Sequence, residues 1–76
     1  MSAGYEIRIT GLTVAINGEA IFSDHATHIK IDDEAGGEFV TVSQSTAHSE
    51  YKFHINPEEW PALRKAIDRM IKECKE

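Results

Sequence analysis

Four histidines, one cysteine and a run of acids are the side chains through which this 76-residue chain could do chemistry. His25 and His28 stand three apart, with His48 and His54 further on. Neutral imidazoles bind zinc, but a site needs three or four converging ligands. On an extended strand, residues three apart point to opposite faces, so this pair converges only in a turn. The four histidines are therefore expected at the surface, with no metal. Asp32-Asp33-Glu34 lacks the alternating oxygen ligands of a calcium loop and reads as an acidic turn. Ser23-Asp24-His25 holds the residue types of a hydrolase triad, but adjacency in sequence confers no triad geometry. There is no glycine-rich phosphate loop. Cys74 is the single cysteine, so an internal disulfide and a cysteine-based zinc site are excluded, in keeping with a reducing compartment. The expectation is a non-catalytic protein without a cofactor.

The elements that must position any site are few. A chain of this length is one domain, residues 1–76. Folding would reduce its surface from about 12,300 to about 4,700 Å², a marginal core that makes self-association an expectation. Hydrophobic residues at 41% and charged residues at 28% are a globular composition. No apolar run reaches the ~20 residues of a membrane span. The start, MSAGYEIRI, has no basic, apolar secretion pattern, so the expected location is the cytoplasm of a cell or of an infected host. A net charge of -5 disfavours non-specific binding to phosphate backbones and suits a basic partner.

The apolar period changes near Asn56, from alternation to a three-four repeat. Tyr5, Ile7 and Ile9 alternate inward; the parity then flips at Gly11 to Leu12, Val14 and Ile16, as at a β-bulge. Asn17-Gly18 predicts a tight hairpin turn, with residues 20–23 returning against 13–16. Ile29 and Ile31 begin a second hairpin, with residues 33–37 as its loop and 39–43 as its return. Tyr51, Phe53 and Ile55 mark a last strand. Asn56, Pro57 and Glu59 then predict a helix over residues 57–75, with a loose first turn or a start near Trp60 because of Pro61. Trp60, Leu63, Ile67, Met70, Ile71 and Cys74 form its apolar stripe. The expected fold is α+β: a four- to five-stranded antiparallel meander over residues 5–55, followed by one C-terminal helix packed on one face.

One helix covers one face, so the other stays open. That open face is expected to carry Arg8, His28, Lys30, Phe39, Thr41, Lys52 and His54, with Glu6, Thr10, Asp32 and Ser43 beside them. Cations, hydroxyls and an aromatic ring on one sheet face can hold single-stranded nucleic acid by stacking and phosphate contact. The alternative contact is acidic: Asp32, Asp33, Glu34 and Glu38 around the second hairpin. The helix stripe is expected to pack on the sheet, with its end beyond Met70 free to reach a second subunit.

The junction Ile55-Asn56-Pro57-Glu58-Glu59-Trp60, followed by Leu63 and Ile67, resembles the closing segment of the positive-cofactor-four family of transcriptional coactivators. The resemblance spans residues 28–75 loosely and 55–67 residue by residue. It implies a curved antiparallel sheet with one long helix, dimers formed through the helices, and single-stranded DNA on the sheet. Two functions are thus expected. The first is a small acidic adaptor or inhibitor acting on a protein partner, such as a nucleic-acid-binding enzyme met by a mobile element. The second is a homodimeric single-stranded nucleic-acid-binding transcription cofactor.

Overall fold

The computed structural model describes residues 3–21, 23–46 and 48–75. Among these residues the order is β1 (Gly11–Val14), β2 (Thr27–Glu34), β3 (Gly37–Ser45), β4 (Glu50–Ile55) and α1 (Trp60–Glu73). The strands form one antiparallel sheet in chain order, so the fold is an α+β meander with a C-terminal helix.

Register follows the alternation of side chains. Leu12, Ile29, Val42 and Phe53 lie side by side across all four strands. Ile31, Val40 and Ile55 form the next row on the same face. A one-residue slip would turn every one of these side chains to the opposite face, so the apolar rows hold the register. The β2–β3 turn is tighter than the five-residue loop expected. Glu34 pairs with Gly37, leaving Ala35-Gly36 as a two-residue turn. Gly37 has φ +115°, a conformation that disfavours any residue with a Cβ.

The amino-terminal part departs from expectation in two places. Residues 3–10 form no strand, and Tyr5 and Ile7 are fully exposed. Only the Thr10 carbonyl joins the sheet, accepting from the Ile31 N–H at 2.8 Å. Continuing the β1–β2 ladder would set Ile9 against Asp32 and Ile7 against Glu34, pairs with nothing to gain from contact. Among the described residues the sheet therefore starts at residue 11 rather than 5, and its four strands fall within the four to five expected. Second, the turn at Asn17-Gly18 forms, with Gly18 at φ +85° and Glu19 N–H on the Ile16 carbonyl at 3.0 Å. No return strand follows it among the described residues; Phe22 lies outside them. Instead, Ser23 N–H bonds the Ala20 carbonyl and Ala26 N–H bonds the Ser23 carbonyl, each at 3.1 Å. The partner of β1 is consequently β2.

The helix spans Trp60–Glu73 rather than 57–75: it starts near Trp60, the later of the two starts considered, and ends before Cys74, whose backbone is extended. Pro61 falls in the first turn, where its missing N–H leaves no bond unmade. Glu59 reaches back to accept from the Asn56 N–H at 3.3 Å, which is one half of a capping box. The expected packing of α1 on its own sheet is not found. No residue of α1 is buried; Trp60 is 43% exposed and Ile71 65%. Among described side chains, the buried set is Ala26, Thr41 and Ile55. The physical reason is the exit from β4. The four residues Asn56 to Glu59 link β4 to α1 through a turn, and the Cα radius of gyration is 16.0 Å against about 11 Å for a compact chain of this length. No helix is long and apolar enough to cross a membrane among the described residues.

Candidate functional site

The sheet sorts its side chains by parity into two unlike faces. Thr41 and Ser43 occupy the middle of the polar face, on β3. Register sets Lys30 and His54 on either side of Thr41, and His28 and Lys52 on either side of Ser43. Four nitrogen-bearing side chains thus frame two hydroxyls. Two strand spacings separate the sides of this frame by roughly 9.6 Å, and two residues along a strand separate its rows by roughly 6.8 Å.

A polar chain crosses the frame. Thr41, only 2% exposed, donates its hydroxyl proton to Asp32 Oδ2. That proton being committed, the contact of 3.0 Å between Thr41 Oγ1 and His54 Nδ1 requires Nδ1 to donate. The Nε2 of a neutral His54 is then an acceptor. Lys30 Nζ lies 3.6 Å from the other Asp32 oxygen. The Thr41 hydrogen bond, assisted by the Lys30 charge and opposed by burial, holds the Asp32 carboxyl below the usual carboxylate range. His54 also meets the Phe39 ring edge to face, with centroids 5.0 Å apart. His28 Nδ1 sits 3.0 Å from Thr13 Oγ1 on β1.

Of the side chains expected on the open face, His28, Lys30, Phe39, Thr41, Lys52 and His54 are brought together there. Arg8 is not. It makes a two-point ion pair with Glu38, at 2.8 and 3.2 Å, on the rim of the other face. Arg8 thereby holds the Glu38 carboxyl below its usual range, by hydrogen bonding first and charge second. The acidic set is dispersed for the same reason. Asp32 belongs to the polar frame and Glu38 to Arg8, leaving Asp33 and Glu34 exposed at the β2–β3 tip. Thr13 was not singled out in the sequence; the parity of β1 after Gly11 is the signal that assigns it to this face.

The other motifs resolve into local structure. Ser23 Oγ donates to Glu19 Oε2 at 3.5 Å, and His25 Nδ1 meets the same oxygen at 3.0 Å. The Ser23 hydroxyl and the His25 ring both bind the carboxylate, and Ser23 Oγ accepts from the His25 backbone N–H at 3.3 Å rather than from its ring, which is not a relay. Glu19 raises the His25 pKa above its ordinary value, first by this hydrogen bond and then by its charge. Among the described residues no three His, Cys, Asp or Glu side chains converge as a metal site.

The apolar face is open. Ile29, Val40, Val42, Ile55, Pro57 and Trp60 line a groove of about 440 Å³ with almost no polar wall. Leu12, Val14, Tyr51 and Phe53 extend it as exposed side chains. The stripe of α1 is equally open at Ile67, Met70 and Ile71, with Leu63 half-buried and Cys74 an exposed thiol. No protein-family model, no curated protein and no solved structure matches this chain.

Proposed function

We propose that this chain is a non-catalytic interaction protein that works as a homodimer and holds single-stranded nucleic acid on the polar face of its sheet. The observation that carries the reading is the division of one small sheet into an uncovered apolar face and a polar face framed by Lys30, His28, Lys52 and His54. The ligand class follows from the mixture on the polar face. Lysines meet phosphates, hydroxyls accept and donate, and the Phe39–His54 pair offers rings against which a base can stack. The likeness of residues 55–67 to the positive-cofactor-four family agrees with both halves of the reading.

The homodimer is supported by area. The chain exposes 7122 Å², about 2,400 Å² more than a compact protein of its mass. Part of that excess is the unpaired segment 3–10; the rest, on the apolar sheet face and the α1 stripe, is area a second copy can cover.

A net charge of -5 opposes long-range attraction, so the phosphate contacts must be few and local. Titration of a labelled 20-nucleotide single strand, followed by anisotropy at several salt concentrations, tests this. Two lysine contacts predict a log–log salt slope of about -1.4, and Lys30→Ala or Lys52→Ala should each weaken binding and flatten the slope by about 0.7. Unchanged affinity in both variants would refute the polar face as the site.

The second reading, an adaptor or inhibitor acting on a basic protein partner, is favoured by Asp33 and Glu34. They stand exposed at the β2–β3 tip and make no ion pair among the described residues. Absence of strand binding even at low salt would leave this reading. Its test is then loss of partner capture by the Asp33→Lys, Glu34→Lys double variant.

A further inference from the structure

We infer that residues 5–8 of one copy add as a fifth strand to the open edge of β4 in a second copy, antiparallel, with Glu6 opposite Lys52 and Arg8 opposite Glu50. This rests on the homodimer proposed above and names one contact within it.

Residues 5–10, Tyr-Glu-Ile-Arg-Ile-Thr, alternate apolar and polar side chains, the pattern of a strand with one covered face. They form no strand in their own copy, where Tyr5 is 99% and Ile7 101% exposed. Among the described residues β4 ends the sheet and pairs with β3 alone. Its six residues, Glu50–Ile55, therefore offer main-chain hydrogen bonds to an added strand. The other edge, β1, is a poorer acceptor: four residues, Gly11–Val14, without a charge.

Charge selects the register. Tyr5 and Ile7 must share the apolar face with Tyr51 and Phe53, so the possible pairings differ by steps of two residues. With Glu6 opposite Lys52, Arg8 meets Glu50, Tyr5 meets Phe53 and Ile7 meets Tyr51. One step either way sets Arg8 against Lys52 or Glu6 against Glu50, and like charges directly opposite are destabilising. Parallel pairing matches at most one of the two charge pairs. Arg8 exchanges Glu38 for Glu50 in this arrangement, and the ion pair it gives up is half-exposed and contributes little.

The strand must come from a second copy. Gly11, Lys30, Thr41 and His54 form one row across the sheet. A strand beyond β4 lies four spacings from β1, about 19 Å, and Glu50 stands four residues, about 14 Å, along from that row. Arg8 is three residues from Gly11, and three residues reach at most about 11 Å. Each copy carries both a strand to give and an edge to receive one, so reciprocal donation closes a two-fold pair.

The test is disulfide trapping between two variants in a Cys74→Ala background, read by non-reducing gels and mass spectrometry. Opposite residues of an antiparallel pair have Cα atoms about 4.5–5.5 Å apart, within disulfide reach. Ile7→Cys mixed with Tyr51→Cys should give the mixed disulfide. Ile9→Cys mixed with Phe53→Cys, roughly 14 Å out of register, should not. All four positions are exposed in the single copy, so the substitutions leave its fold intact. Sedimentation gives a second readout. Glu6→Lys should weaken self-association about three- to tenfold by setting like charges opposite, and adding Lys52→Glu to the same chain should restore it. A dimeric wild type whose Ile7→Cys and Tyr51→Cys variants do not join would overturn the strand addition and leave the homodimer standing. Equal trapping of the out-of-register pair would overturn it as well. A monomeric wild type would overturn both the homodimer and the strand addition.

Discussion

Thr41 shows how one hydroxyl can organise a face. It is buried in the middle of β3, donates to Asp32 and receives from His54, so three strands are tied through one oxygen. Replacing it with valine keeps the volume but leaves the carboxylate and the imidazole without their partner. Thr41→Val should lower stability by about 1 kcal/mol and return the Asp32 pKa toward its ordinary value, as followed by carboxyl carbon shifts. The sign of the acid dependence follows. The Asp32 pKa is depressed in the fold, so its contribution is present above the ordinary carboxylate range and is lost as pH falls through the depressed value. Thr41→Val should flatten that acid limb. His25 runs the other way. Glu19 raises its pKa, so its contribution is complete below about 6.5 and disappears as pH rises through the raised value. Denaturant midpoints should show a decline across that window in the wild type and none in Glu19→Gln.

Among the elements, each turn follows its own chemistry while the pairing follows competition. Asn17-Gly18 turns the chain, but with a positive φ at Gly18 alone, whereas the favoured two-residue hairpin turn needs it at both positions; no strand returns among the described residues, and Ser23 and His25 bind Glu19 instead. The alternating Ile29 and Ile31 then offer β1 a longer partner. Gly37 is the residue on which the second hairpin depends. A Cβ there meets open space, so the cost of Gly37→Ala is conformational alone, roughly 1–2 kcal/mol from φ +115°. Thermal melts of Gly37→Ala beside Gly36→Ala check this; Gly36 has no positive φ and should be nearly silent. Pro61 belongs to the same scale. It lies in the first turn of α1 and marks where the helix starts.

At the scale of the whole molecule, the apolar sheet face and the α1 stripe are both open, and among the described residues only Ala26, Thr41 and Ile55 are buried. Trp60 is the single tryptophan and lies where the groove meets the helix. The proposed homodimer would dry it, so its emission should shift to the red on dilution, together with the loss of secondary structure expected when a dimer whose protomers do not fold alone dissociates. Emission that stays constant across dimer dissociation, with ellipticity unchanged, would mean that Trp60 lies outside the contact.

The sequence by itself determined the strands from β2 to β4, the face on which His28, Lys30, Phe39, Thr41, Lys52 and His54 meet, and the start of the helix. Those features depend on period, parity and caps, which are set within a few residues. It did not determine that residues 3–10 stay off the sheet, or that Arg8 pairs with Glu38, because a strand's partner is chosen against every other segment. The tertiary structure alone decided where the helix goes. The stripe of Trp60, Ile67, Met70 and Ile71 announces a buried face, but not what buries it. Four residues of backbone, Asn56 to Glu59, separate β4 from α1, and beyond Trp60 they leave the apolar stripe at Ile67, Met70 and Ile71 uncovered by its own sheet.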